Sequence, residues 1–315
     1  MSATFQRTAG RQAVSGAIPA KSRPVDGGAD ALLLVVAMSL MAIGVIAIAS
    51  ASIEHDDWHF GNPWYHTIRH LVYLAIAGAI GAAVYRIPID LIERASPWCL
   101  IFSLLLLIVV LLPGIGRNVN GSQRWIPLGP LTVQPSEIAK AALVLYSAGY
   151  LVRHGEQLRS HWHGMAKPVA VLFLVAGLLM AEPDFGATVI ASGAVFGMLF
   201  LAGAQLRYVA LLVSLAVAGL VGLAVSAPYR LERLIAYRDP WADPFDSGFQ
   251  LIQSLIAYGR GELWGVGLGN SVQKLFYLPE AHTDFVFSIW AEETGMFGAL
   301  TVLVLYGLLV GRTLW

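Results

Sequence analysis

The sequence predicts an all-α fold, a polytopic transmembrane helical bundle of about eight spans with a long external loop before span eight. Two observations lead to this fold class. Of the 315 residues, 57% are hydrophobic and only 13% are charged, which is about half the charged fraction of a soluble domain. The chain also contains apolar runs of about twenty residues, the length at which an α-helix crosses a bilayer.

Eight segments are apolar enough to be spans, and each is predicted to be a helix because a backbone in lipid must satisfy its own hydrogen bonds. They are residues 31–52, 69–86, 97–113, 136–153, 168–181, 185–205, 207–226 and 284–310. The polar residues 1–30 are predicted to be a disordered cytoplasmic tail, and residues 31–312 one transmembrane domain. Within that domain, residues 227–283 form the large external loop.

The distribution of Lys and Arg predicts a cytoplasmic N-terminus. The predicted inner loops, with the span ends beside them, contain Lys or Arg, whereas the short outer loop 53–68 contains neither. Arg117 and Arg124 lie in the outer loop 114–135, against this bias, which indicates a function for them. The formal net charge is zero, so nothing global indicates a nucleic-acid partner. Cys99 is the only cysteine, so no disulfide can form within the chain.

Two charged residues stand at the start of span four, where Pro135 suits a first helical turn. Glu137 and Lys140 are three residues apart, so their side chains share one helix face. The pair can be a local ion pair that lowers the cost of inserting both charges. It can equally be a polar face lining a cavity, since charges in spans usually face the protein interior or water.

Two aspartates stand where spans begin. Asp184 follows Glu182 and Pro183 in a very short outer turn, where it can cap span six or serve a site. Asp284 precedes span eight, which Thr283 or Asp284 could cap. If it serves a site instead of capping the helix, Asp284 is a candidate general base.

The neighbourhood of Asp284 favours a chemical role. Glu280, His282, Glu292 and Glu293 lie within fourteen residues of one another along the chain. Clustered carboxylates at a membrane face are costly unless they are paired, metal-bound or protonated. No metal-ligand set can be assigned from the sequence.

Arg117 and Arg124 are candidate anion contacts, because Arg is suited to bidentate recognition of phosphate. The alternative for Arg124 is interface anchoring together with its neighbour Trp125. Residues 259–270, GRGELWGVGLGN, are rich in glycine but match neither a Walker loop nor a Rossmann fingerprint. Their glycines are predicted to make turns beside the membrane.

Over residues 31–312 the chain resembles the SEDS family (shape, elongation, division and sporulation proteins), and within it the cell-division branch rather than the elongation branch. The segments that carry the resemblance are VNGSQRWIPLGPLTVQPSEIAK (119–140), EPDFGATVI (182–190), DPWADPFDSGFQLIQSLIAYGRGELWGVGLGNSVQK (239–274) and LPEAHTDFVFSIWAEETG (278–295).

The resemblance implies a peptidoglycan glycosyltransferase that polymerises lipid II on the outer side of the cytoplasmic membrane, at the septum in dividing cells. Asp284 matches the family's essential aspartate, and Glu280 a glutamate implicated in activity. His282, in the same string, is a further candidate for substrate binding. Polar positions of the family's central cavity are matched by Arg124, Glu137, Lys140 and Asp184. The implied partners are a class B penicillin-binding protein, which is a transpeptidase, and divisome regulators.

The predicted mechanism follows from these assignments. Asp284 takes the proton of an acceptor sugar hydroxyl as that oxygen attacks the anomeric carbon of the donor. Arg124 and Lys140 stabilise the leaving pyrophosphate, with a divalent cation, Mg or Mn, as a further expectation. A single displacement inverts the anomeric centre.

Two departures and two alternatives accompany this prediction. The family has ten spans where eight are counted here, so the chain is expected to be a fragment or truncated form, with uncertain activity alone. Glu182 stands where the family commonly has Gln. A lipid II flippase is the first alternative, although the candidate residues map to the outer face. A non-catalytic divisome scaffold is the second.

Overall fold

The computed structural model describes residues 30–119, 122–129, 131–225 and 237–314. Most of the predicted N-terminal tail, residues 1–29, therefore lies outside the described residues, as does part of the external loop, 226–236. The described residues form ten α-helices and one small antiparallel sheet.

The helices are α1 (Ala31–Phe60), α2 (Tyr65–Tyr85), α3 (Ile89–Leu111), α4 (Pro135–Arg153), α5 (Gly155–Ser160), α6 (His163–Ala181), α7 (Phe185–Leu201), α8 (Leu206–Val225), α9 (Phe249–Gly261) and α10 (Val286–Leu314). The strands are β1 (Arg117–Val119), β2 (Ser122–Leu128) and β3 (Leu131–Val133). A short 3-10 helix covers Pro240–Ala242.

Each of the eight predicted spans coincides with a helix, namely α1 to α4, α6 to α8 and α10. In the described part of the chain, five of these helices are long and apolar enough to cross a membrane: α1, α2, α3, α6 and α10. Two shorter apolar helices lie over Phe185–Leu201 and Leu206–Gly222. The chain is therefore a multipass membrane protein, and the number of eight spans stays a prediction.

Two elements in the loops predicted to be external were not expected from the sequence. Loop 114–135 contains the sheet, in which β1 pairs with β2 and β2 with β3, both antiparallel. Its strands are three to seven residues long, and the longest, SQRWIPL, shows no alternation of polar and apolar residues, although the strands contain Trp, Ile, Thr and Val. The predicted external loop contains α9, an amphipathic helix of 13 residues, which is too short to be counted as a span.

The chain forms two compact units. The first comprises the described residues up to Thr67 together with those from Ser254 onward, and the second comprises Ile68–Gln253.

The second unit packs α3, α4, α6 and α7 around one apolar core. Leu172, Val175 and Leu179 recur every three or four residues along α6, which places them on one face of the helix. The large core side chains that are fully buried come from these four helices and from α5: Leu107, Leu143, Leu158, Val175, Leu179, Val195 and Leu199.

In the first unit, α1 packs against α10. Asp30 caps α1 by accepting from the backbone N–H groups of Leu32 at 3.0 Å and Leu33 at 3.3 Å. The same carboxylate accepts from Nε of Arg312, in the last turn of α10, at 2.5 Å. Because one bond joins the start of α1 to the end of α10, the two helices run antiparallel. The bond to Arg312 also lowers the pKa of Asp30.

Helix α10 is interrupted at Gly295, where φ is 68° and ψ is −168°. The interruption frees backbone groups on both sides, and a loop from the Gly-rich segment satisfies them. The N–H groups of Val266 and Gly267 donate to the carbonyls of Glu292 and Glu293, both at 3.0 Å. On the other side, the N–H of Met296 donates to the carbonyl of Glu262 at 2.9 Å. The break is therefore a paired junction rather than an exposed defect.

The Gly-rich loop approaches α10 so closely that it needs glycine. Gly265 has φ +81°, and a Cβ built there would lie 2.2 Å from the carbonyl oxygen of Glu293. Positive φ also recurs at Gly267 and Gly269. These glycines make turns, as the sequence predicted.

Buried charges hold the same junction. The ammonium of Lys274 donates to Glu293 Oε1 at 2.9 Å, to Ser50 Oγ at 3.1 Å and to the carbonyl of Gly269 at 2.7 Å. All three of its donors are therefore used. The hydroxyl of Ser50, on α1, also donates to Glu293 Oε1 at 2.7 Å.

Glu292 is fully buried and equally well paired. Arg260 NH1 lies 3.2 Å from its Oε1, and the Ser271 hydroxyl donates to its Oε2. The backbone N–H groups of Val272 and Gln273 complete the set, at 3.2 and 3.4 Å. The Gly-rich segment and the start of α10 thus form one charged and hydrogen-bonded junction.

We expect Gly265→Ala to destabilise the protein by at least about 2 kcal/mol, because the new Cβ meets a carbonyl oxygen and the backbone is left-handed there. The melting temperature of the purified protein in detergent measures this. Gly259→Ala is the matched control, since a Cβ at this position in α9 meets no atom within 4 Å. Equal melting temperatures for the two variants would contradict the assigned junction.

Candidate active site

The predicted site residues are distributed over both units. Glu280, His282 and Asp284 belong to the first, and Arg124, Glu137, Lys140 and Asp184 to the second.

In the first unit, the loop before α10 is anchored by its apolar residues and presents its acids to solvent. Leu278 and Ala281 are buried in a small cluster with Ala51 of α1 and Ile289 of α10. Glu280 and Asp284 are exposed. The loop is therefore held in place by its buried apolar side chains.

Thr283 does not cap α10. Its hydroxyl donates instead to Glu280 Oε2 at 2.9 Å, and its backbone N–H to the Glu280 carbonyl at 3.1 Å. Glu280 has φ 56°, a strained conformation of the kind that recurs at functional sites. Among the residues that the structure describes, none donates a hydrogen bond to the Asp284 carboxylate, so this group is available to accept a proton.

His282 is half-buried, and its ring packs against two other histidine rings. Its ring centroid lies 4.6 Å from that of His55 and 4.8 Å from that of His66. Burial, and secondarily the two histidines, lower the pKa of His282, against the opposing effect of Glu280. The neutral form of the ring is therefore favoured. Substrate binding by His282 stays a prediction.

The four acids of this segment, Asp284 included, separate into two kinds. Glu292 and Glu293 are buried and paired with Arg260 and Lys274 in the junction described above. Their burial cost is met by partners that the sequence did not reveal. Glu280 and Asp284 are the acids that remain exposed.

In the second unit, Arg124 extends from β2 to the turn between α6 and α7. Its Nε donates to the Glu182 carbonyl at 3.3 Å, and its NH2 donates to the Pro183 carbonyl. Its NH1 lies 3.9 Å from Asp184 Oδ1. The guanidinium is only partly exposed, and the bonds to these two carbonyls give Arg124 a structural role. Any role in binding anions is additional to it.

The capping interpretation of Asp184 is confirmed, and its role in a site stays a prediction. Its carboxylate caps α7 by accepting from the N–H of Ala187 at 3.1 Å. The other oxygen accepts from Gln134 Nε2 at 3.4 Å, beside Arg124. Asp184 is thus a helix cap and also part of a polar cluster.

Glu137 and Lys140 form the predicted ion pair and border a groove, and their role in substrate binding stays a prediction. The Lys140 ammonium donates to Glu137 Oε1 at 2.8 Å. The pair stands beside a groove of about 520 Å³ between α4 and α7, otherwise lined by Ala141, Val144, Leu145, Ile190, Ala191 and Ala194. The groove is therefore apolar, with one charged pair on its wall. Arg117, on β1, is exposed.

Glu182 is the unexpected residue of this cluster. It is fully buried, and neither carboxylate oxygen has a hydrogen-bond partner among the described residues. Burial and the nearby charge of Asp184 raise its pKa to about 8, against the opposing effect of Arg124. The carboxyl is therefore largely protonated at neutral pH.

Sequence reasoning missed His55, His66, Asp56 and Lys274. The first three belong to the short outer loop, whose histidines were visible but lacked a recognised spacing. Only the fold brings them beside His282.

These features define a class: a multipass membrane protein with an anchored acidic loop before its last described helix and an apolar groove beside a charged pair. The family model described as "Cell cycle protein" (FtsW, RodA and SpoVE) matches residues 30–315, so the chain belongs to this family. The predicted family and fold class are confirmed.

Several relatives and solved structures are similar along most of the chain. The "Probable peptidoglycan glycosyltransferase FtsW" of Hahella chejuensis is 54% identical over 286 residues, covering 91% of this chain and 72% of that protein. The protein of the same name from Pseudomonas fluorescens is 53% identical over 277 residues, covering 88% and 68%.

Among structures, the crystal structure of Thermus thermophilus rod shape determining protein RodA matches with TM-score 0.62 and 28% identity, covering 90% of this chain and 73% of that one. A chain from a structure of a peptidoglycan synthase complex, described as coordinating polymerization and crosslinking, matches with TM-score 0.70 and 31% identity. It covers 90% of this chain and 76% of that one.

We expect the stability of the protein to fall as pH rises from about 4.5, the ordinary pKa of an unfolded Glu, to about 8, the pKa of buried Glu182. In this window the folded state holds a proton that the unfolded state has lost. Glu182→Gln removes this dependence, so it should raise the melting temperature by several degrees at pH 8 and hardly at pH 4.5.

Melting curves at both pH values, with the exposed Glu156→Gln as control, measure the effect. A gain of equal size at the two pH values would show that the titration of Glu182 is not its cause.

Proposed function

We propose that this chain is a peptidoglycan glycosyltransferase that polymerises lipid II during cell division, acting at the outer face of the cytoplasmic membrane. The observation that carries the proposal is its identity of 54% over 286 residues with a protein named for that activity. The exposed, anchored carboxylate of Asp284 supplies a chemical group of the required kind.

The reaction forms a bond between the acceptor sugar oxygen and the anomeric carbon of the donor. The bond from that carbon to the pyrophosphate oxygen breaks, and the lipid pyrophosphate leaves with the electron pair. The hydroxyl proton passes to the Asp284 carboxylate. A single displacement of this kind inverts the anomeric centre.

Asp284 suits the role of base for two reasons. Its carboxylate is exposed, and none of the described residues donates a hydrogen bond to it, so a substrate hydroxyl can donate instead. Its loop is also fixed, because Leu278 and Ala281 are buried before it in the chain and α10 begins directly after it. A catalytic group that is held in position lowers the entropic part of the reaction barrier.

The groove between α4 and α7 suits the lipid part of the substrate. An apolar channel accommodates a polyprenyl chain by removing its surface from water. Lys140 lies on the wall of the groove, and its ammonium can bind the pyrophosphate. The pyrophosphate then competes for this ammonium with Glu137, to which Lys140 donates. Arg124 is held by the carbonyls of Glu182 and Pro183, so we propose that it contacts phosphate with its remaining donors.

A divalent cation, Mg or Mn, is part of the proposal. Such ions prefer oxygen ligands, and the exposed carboxylates of Glu280 and Asp284 are donors of this kind. Its charge would stabilise the leaving pyrophosphate.

The proposed setting follows from the similar structure of a peptidoglycan synthase complex. A class B penicillin-binding protein crosslinks the glycan strand that this chain makes, under the control of divisome regulators. The N-terminus is cytoplasmic, in keeping with the inner loops rich in Lys and Arg.

We expect Asp284→Ala to lower lipid II polymerisation by at least about a hundredfold, since general base catalysis contributes about 10²–10⁴. The assay uses the protein in liposomes with its class B transpeptidase and Mg or Mn, and glycan strands are the readout. Asp246→Ala, which removes another exposed loop aspartate, should retain full activity.

Activity of a correctly folded Asp284→Ala within tenfold of the parent would exclude Asp284 as base. Translocation of labelled lipid II in the same liposomes, without strand formation by any version, would favour the flippase alternative. Complex formation without either activity would favour the scaffold.

A further inference from the structure

Three histidines from separate parts of the first unit converge beside the acidic loop. His55 lies near the end of α1, His66 near the start of α2, and His282 in the loop before α10. One potential ligand atom from each lies within 4.8 Å of those of the other two. In the described part of the chain, this is the one group of three His, Cys or acidic residues with such spacing.

A buried carboxylate orients one of the rings. Asp56 is fully buried, and it accepts from Nδ1 of His66 and, at 2.8 Å, from the backbone N–H of the same residue. Because an ionised carboxylate only accepts, Nδ1 of His66 holds the proton and Nε2 keeps its lone pair. A carboxylate behind a histidine is the usual outer partner of a metal-binding imidazole.

A second ring has an unexplained polar atom. Nδ1 of His55 is buried, with no hydrogen-bond partner among the described residues. Its nearest acid, Asp56 Oδ1, lies 3.6 Å away and is already engaged by His66. A buried nitrogen without a partner is costly, and an ion with its bound water would satisfy it.

We propose that His55, His66 and His282 bind one transition-metal ion of the Zn²⁺ type, with water in the fourth position. Three imidazoles with an open position form a known zinc donor set. Zn–N distances of about 2.0–2.1 Å place ligand nitrogens roughly 3.4 Å apart, so the rings need to close by little more than an ångström. The all-nitrogen set does not suit Mg²⁺, which prefers oxygen.

The ion would fasten the acidic loop to the α1–α2 turn. His282 lies two residues before Asp284, while His55 and His66 flank the turn after α1. The metal is therefore a positioning element for this loop, separate from the Mg or Mn of the proposed reaction. The site stands on its own geometry and does not depend on that reaction.

The test uses the full chain, purified in detergent, stripped with a chelator and titrated with Co²⁺. The expected result is one equivalent of Co²⁺ with the intense visible bands of tetrahedral coordination, displaced by Zn²⁺. Zn²⁺ should also raise the melting temperature of the parent protein.

The variants separate ligands from neighbours. His66→Ala and His282→Ala should each weaken binding by more than tenfold, and Asp56→Asn by about 10–100-fold through the outer partner. His59→Ala is the matched control: its ring stacks on His55 at 4.2 Å but lies outside the group of three. It should bind Co²⁺ as the parent does.

Absence of bound Co²⁺ and of any Zn²⁺ effect on melting in the parent would overturn the proposal, whatever the variants do. Equal loss in His59→Ala and His282→Ala would overturn it too, by showing that ring stacking alone is being disturbed.

Discussion

The buried ion pair between Lys274 and Glu293 is the interaction on which the first unit depends. Both side chains are almost inaccessible to solvent, so either charge alone would be strongly destabilising. Three elements meet at this pair: α1 through Ser50, the Gly-rich segment through the Gly269 carbonyl, and α10 through Glu293 itself. The break in α10 is tolerated because this same junction satisfies the backbone groups it frees.

The junction also explains why the acids close to Asp284 in the sequence do not destabilise one another by charge repulsion. Glu292 and Glu293 are neutralised inside the protein, and the chain leaves the junction directly into the anchored loop, with the Leu278 N–H donating to the Gln273 carbonyl at 2.9 Å. Asp284 then remains exposed at the end of that loop. Stability and the proposed chemistry are thus assigned to different carboxylates of one short segment.

Much of this architecture could be predicted from the sequence, because helices in membranes are dictated by local composition. The start of α4 at Pro135 and the cap of α7 at Asp184 are local signals of this kind. Long-range pairing is not local: Ser50 meets Glu293 across 243 positions, and His55 meets His282 across a similar distance. Such partners follow from how helices pack, which neither periodicity nor spacing encodes.

A double-mutant cycle on Lys274 and Glu293 tests this account most directly. The free energy of unfolding in detergent is measured for Lys274→Met, Glu293→Gln and the double variant. We predict that each single variant loses about 3–5 kcal/mol of unfolding free energy. The double variant should lose less than the sum of the two single losses, by at least about 2 kcal/mol. Losses that simply add, or single variants as stable as the parent, would contradict the central role of the pair.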